Sequence, residues 1–143
     1  MNTAYDRDFH AWTQEQADLL RAGHFAALDI QHLTEELDSM GARERRELTN
    51  RLAVLLAHLL KWQYQPQRRG NSWRLTVEVQ RLDLQDLLKQ NPSLRPQLPE
   101  RIEDAYRKAV LLAAQETGIE KRQFPAECQY LAEQILNDGF WPE

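Results

Sequence analysis

The chain has 143 residues, of which 42% are hydrophobic and 28% charged, with five Gly and six Pro; this is enough for one domain with its own core and excludes a disordered or low-complexity chain. The net charge of −4 gives only weak grounds for a polyanionic partner. A single cysteine, Cys128, cannot form an internal disulfide. The longest apolar run, LAVLLAHLL, has nine residues and is interrupted by His58, too short to span a membrane. The start, MNTAYDRDFHAW, has neither the basic nor the apolar part of a leader, so a soluble, cytoplasmic protein with no membrane association is expected.

Periodicity points to helices throughout. Phe9, Trp12, Leu19 and Leu20 mark a first helix from about Thr3 to Ala22, closed by Gly23. A second starts with Asp29 as N-cap, carries Leu33, Leu37 and Met40, and is expected to stop at Gly41. The third runs from Ala42 to about Tyr64, with Leu48, Leu52, Leu55, Leu56 and Leu59 as a wide apolar stripe and Pro66 forbidding continuation. Residues 72 to 90 alternate like a strand at Trp73, Leu75, Val77 and Val79. They also fit one helical face at Trp73, Val77, Leu84, Leu87 and Leu88. Length and the lack of a partner strand decide for helix, with Ser72 as its cap. After the Pro-rich corner NPSLRPQLP comes a helix from about Pro99, with Ile102, Ala105, Tyr106, Ala109 and Ala113 inward and Gly118 as its stop. A last helix is expected from Pro125 to about Asn137, with Cys128, Ala132 and Ile135 on its inner face, before the tail GFWPE. The sum is an all-α, single-domain bundle of about six helices over residues 1–143.

Charge is uneven along the chain. Residues 1–42 hold two Lys or Arg against eight Asp or Glu, a net of −6; residues 43–81 carry +6 and residues 82–143 carry −4. The basic middle third reads first as the surface on which the acidic parts pack, and second as an anion-binding face.

Polar residues inside apolar stripes are found by helical angle, about 100° per residue. Arg51, His58 and Trp62 share a column beside Leu55; Glu36 stands near Leu33 and Met40; Gln80 and Arg81 fall on the face of Trp73, Val77 and Leu84. Buried charges need partners, so Glu36, His58 and Arg81, with Gln80 or Arg51 at the margin, are expected to meet in one polar cluster. That cluster would set the register of the helices, or line a pocket where a histidine and a carboxylate move a proton. Lys61, Trp62, Tyr64, Arg68, Arg69, Trp73 and Arg74 supply the cations and rings that grip phosphates and stack bases. The plainer reading is that the tryptophans anchor an interhelical corner. The run His32, Glu35, Glu36 has metal-ligand spacing but no matching pair on another helix, so no metal and no cofactor are expected. Nucleotide, hydrolase and zinc signatures are absent, and no serine is placed as a nucleophile.

The segments YDRDFHAW, LTEELDSMG, LLAHLLKWQYQP, NSWRLTVEVQR, NPSLRPQL, FPAECQY and DGFWPE together resemble the bacterial family known as domain of unknown function 29, over nearly the whole chain. The resemblance implies a bacterial, all-α protein and brings no assigned activity. It implies motif positions at Glu35, Glu36, His58, Lys61, Trp62, Tyr64, Gln65, Pro66, Ser72, Trp73, Gln80 and Arg81. His32 stands where the family has asparagine, and Gly70 where serine is commoner. The expected role is a non-catalytic interaction or adaptor module that self-associates or binds a protein partner. A pocket on the Glu-His-Arg cluster comes second and nucleic-acid binding third.

Overall fold

A computed structural model describes residues 4–143. Its described residues are mostly helical, with no strand: six α-helices, with 3-10 turns in four of the connections. These are α1 (Ala4–Arg7), α2 (Phe9–Ala22), α3 (Ile30–Tyr64), α4 (Asn71–Gln90), α5 (Leu98–Thr117) and α6 (Ala132–Leu136). The chain divides into two compact units, one ending at Arg43 and one comprising Glu44–Glu143.

The first unit is a helical hairpin. The expected single first helix is broken at Asp8, whose extended backbone lets its carboxylate accept from Ala11 N–H at 3.0 Å and so cap α2; its expected start at Thr3 lies outside the described residues. Gly23, at φ 73°, closes α2 in the left-handed conformation that an L side chain resists. Asp29 then holds the turn into α3 with its whole side chain. It accepts from Trp12 Nε1–H at 3.0 Å, from His32 Nδ1 at 2.7 Å and from the His32 backbone N–H at 3.4 Å, while Asp29 N–H donates to Gln16 Oε1 at 2.8 Å. Tyr5 stacks on His32 with ring centroids 4.0 Å apart, and its hydroxyl donates to Glu36.

The expected stop at Gly41 is corrected: α3 runs unbroken for 35 residues. One glycine in a helix interior costs only about 1 kcal/mol against alanine. Here it is flanked by Met40, Ala42, Arg43 and Glu44, all compatible with a helix, and no proline or capping residue follows to take up the freed backbone.

The second unit carries the core. Leu48, Leu52, Leu55, Leu56 and Leu59 of α3 are fully buried, as the stripe requires, and pack with Val77, Leu84 and Leu88 of α4 and Ile102, Ala105, Tyr106, Ala109 and Ala113 of α5. The expected helix from Pro125 is also corrected. Residues 124–131 are non-helical, and α6 begins only after Leu131, whose N–H is satisfied by Gln134 Oε1 at 2.9 Å. Buried Phe124 and Tyr130 pin this segment, and Tyr106 O–H donates to the Pro125 carbonyl at 2.7 Å. An α-helix through Pro125 would have to give up those anchors. Cys128 is therefore half-buried in an irregular stretch rather than on a helix face, although Ile135 is fully buried as expected.

Candidate functional site

The polar residues singled out in the sequence enter separate hydrogen-bond sets. Glu36 belongs to the first unit, where it accepts from Tyr5; His58, Gln80 and Arg81 belong to the second. The partner of Glu36 is Tyr5 and those of His58 are Val54 and Lys61, each within its own unit.

His58 sits in its own small network. Its Nδ1–H donates to the Val54 carbonyl at 2.8 Å, which leaves Nε2 to accept from Lys61 Nζ at 3.3 Å. Lys61, only 4% exposed, also donates to Glu116 of α5 and lies 5.2 Å over the Trp73 ring. Burial, aided by the adjacent ammonium, holds the His58 imidazole below its ordinary pKa. A neutral acceptor beside a lysine paired with Glu116 makes a local hydrogen-bonded set.

Arg81 is fully buried. Its Nε donates to the Ile135 carbonyl at 2.9 Å and Nη2 to the Phe140 carbonyl at 2.8 Å, with longer contacts to the carbonyls of Gln134 and Asp138. The Trp141 ring lies 5.4 Å away. These are carbonyls of the end of α6 and of the tail that follows, of which that of Gln134 also accepts from Asn137 N–H, so the guanidinium serves as their cap. Gln80 faces Arg51, whose Nη1 is 3.5 Å from its amide oxygen and whose main partners are Asp83 at 2.8 Å and Glu47 at 3.0 Å.

The basic, aromatic corner turns its rings inward. Trp62 is 8% exposed and packs on Trp141 with centroids 4.5 Å apart; Tyr64 lies edge-on to Phe124. Arg69 stacks 5.2 Å over Trp62 while its Nε donates to the Trp62 carbonyl at 2.7 Å. Arg74 lies 5.8 Å over the same ring, and Arg68 is exposed. Trp73 is half-buried under Lys61. The Trp62 ring is thus engaged by Trp141 and two guanidiniums.

Among the described residues no group of His, Cys, Asp and Glu is placed to hold a metal, and no helix is long and apolar enough to cross a membrane. Sequence reasoning missed Glu116 and Tyr5, the partners of Lys61 and Glu36. Both are ordinary surface residue types, and neither stands at a spacing that would have linked it to its partner. The network around Asp29 had one visible signal, an N-cap three residues before a histidine.

What the arrangement defines is an all-α protein in which Asp29 holds a turn, Lys61 joins α3 to α5 and Arg81 holds the tail. The sequence profile described as Domain of unknown function DUF29 matches residues 4–141, and the chain belongs to that family. No curated protein and no solved structure matches it.

Proposed function

We propose that this protein works by association, as a non-catalytic, cytoplasmic interaction module that pairs with further copies of itself through its first unit. The observation that carries this reading is the unit's uncovered apolar surface. Among its described residues only Trp12 and Gln16 are buried, whereas Phe9, Leu20, Phe25, Ile30, Leu37 and Met40 are exposed, Leu37 to 66%. On α3, Ile30, Leu33, Leu37 and Met40 recur at spacings of three, four and three, the seam of a coiled coil. A seam of that kind is stable in water when a second helix covers it. The polar clasp beneath it, from Tyr5, Trp12, Asp29, His32 and Glu36, supports the same reading because it keeps the stripe in a fixed orientation without a core.

The test is native mass spectrometry of the full chain beside the Leu37→Glu and Met40→Glu variants. Multiples of the chain mass in the wild type, weakened at least tenfold in the variants with helix content unchanged, are expected. A wild type that stays monomeric at micromolar concentration sinks the reading.

A further inference from the structure

The second unit carries a further feature beside the segment anchored by Phe124 and the Tyr106–Pro125 hydrogen bond. Between α5 and the segment that follows it runs a groove of about 970 Å³, at the upper end of the range for small-molecule sites, roughly 300–1,000 Å³. Its floor is apolar: Tyr106, Val110, Leu111, Phe124 and Pro125 line it. Tyr106 brings no free hydroxyl, since its O–H is given to the Pro125 carbonyl. Leu111 is 55% exposed there, in contrast to the other inward residues of the helix.

The rim carries charge of one effective sign. Arg107, Lys108, Lys121 and Arg122 line the groove together with Asp104 and Glu120. Both acids are engaged: Asp104 is bridged by Arg101 at 3.0 Å and Glu120 by Arg122 at 2.6 Å. Arg107, Lys108 and Lys121 have no ion pair or hydrogen-bond partner among the described residues. Three unpaired cations thus stand around an apolar trough, although the chain as a whole is acidic. A surface of this composition favours an occupant with an apolar body and an anionic head, because the body leaves water and the head meets cations at the groove's edge.

We propose that this groove is a binding site for an aliphatic carboxylate, its chain along Val110, Leu111 and Phe124 and its head group between Lys108, Lys121 and the fork of Arg107. A carboxylate matches a guanidinium in two parallel hydrogen bonds. The trough's volume suits one small amphiphile, and the site does not depend on whether the first unit self-associates.

The experiment is isothermal titration of the full chain with sodium decanoate below its micelle concentration, in parallel with decanol and with decyl phosphate. Two variants accompany it: Lys108→Glu/Lys121→Glu, and Leu111→Asp, all at exposed positions so that the fold is retained, which circular dichroism checks. Expected are one decanoate bound per chain, at least tenfold weaker binding of decanol, and at least tenfold loss in each variant. Absence of saturable uptake overturns the proposal, as does equal binding of decanol or undiminished binding by both variants. Uptake of decyl phosphate alone overturns the choice of carboxylate. An oligomer that dissociates on charge reversal with no decanoate bound gives the groove to a second copy of the chain instead, and overturns it too.

Discussion

Replacing Arg81 by methionine is the most informative single change in the second unit. Methionine keeps the unbranched stem and much of the volume, so what is chiefly lost is the guanidinium. Two of its hydrogen bonds are short, to the Ile135 and Phe140 carbonyls at 2.9 and 2.8 Å, and two are longer. A hydrogen bond from a charged donor contributes about 1.5–3 kcal/mol, and the two good ones together give about 3–6 kcal/mol. Burial works against the cation and lowers the Arg81 pKa, so removing it returns part of its desolvation cost. The loss expected for Arg81→Met is therefore about 2–4 kcal/mol, with a larger one for Arg81→Ala, which also leaves a cavity. Urea unfolding followed by tryptophan fluorescence measures it, and the same spectra report Trp141, which lies against the guanidinium. A midpoint that moves by less than the equivalent of about 1 kcal/mol for Arg81→Met would refute the assignment of Arg81 as the cap of α6 and the tail.

The two central histidines should titrate in opposite directions. The hydrogen bond that His32 donates to the Asp29 carboxylate raises the His32 pKa, whereas burial lowers that of His58. His32 then adds stability that is complete below about 6.5 and is lost as pH rises through its folded value, while His58 subtracts stability as pH falls below about 6.5, where the unfolded chain takes up a proton first. Proton NMR of the ring signals should place one above and the other below that value, and Asp29→Asn should bring His32 down; coincident titration curves would contradict the contrast. Gly41→Ala tests the continuity of α3: a Cβ there meets nothing within 4 Å, so a gain of up to about 1 kcal/mol is expected, and a loss in the same unfolding experiment would mean that the helix ends there. Lys61→Met removes a buried ammonium from a carboxylate that is half exposed. The expected cost is about 1–3 kcal/mol, discounted for the water around Glu116, and a neutral result would show that the pair contributes nothing.

Much of the architecture was legible because it rests on local chemistry. Leu48 to Leu59 repeat at helical spacing and are buried; Gly23 and Gly118 stop helices in the left-handed conformation that glycine alone takes easily. Gly41 looked the same in the sequence and behaves otherwise. Whether a glycine ends a helix depends on what satisfies the carbonyls around it, and here the helix itself does. Pro125 misled in a similar way, since proline is as compatible with an extended anchor as with a first helical turn.

The candidate site was legible in part. That Arg81 had to find partners followed from its place on an apolar face, and it is buried; Lys61, read as part of a basic face, is buried as well. Which partners they find did not follow, because Arg81 pairs with backbone carbonyls, which every residue carries, and Lys61 pairs with Glu116 across 55 residues. Glu36, expected to join His58 and Arg81, has Tyr5 as its partner within the first unit, a contact that no spacing in the sequence announced.

Hydrogen exchange of the full chain, followed by mass spectrometry at high and at low protein concentration, tests self-association through the first unit most directly. Residues 30–43 of α3 should exchange faster on dilution, as the stripe of Ile30, Leu33, Leu37 and Met40 loses its cover, while residues 48–64, buried in their own core, stay unchanged. Uptake over residues 30–43 that is the same at both concentrations, in a range where the wild type changes its mass, would contradict it.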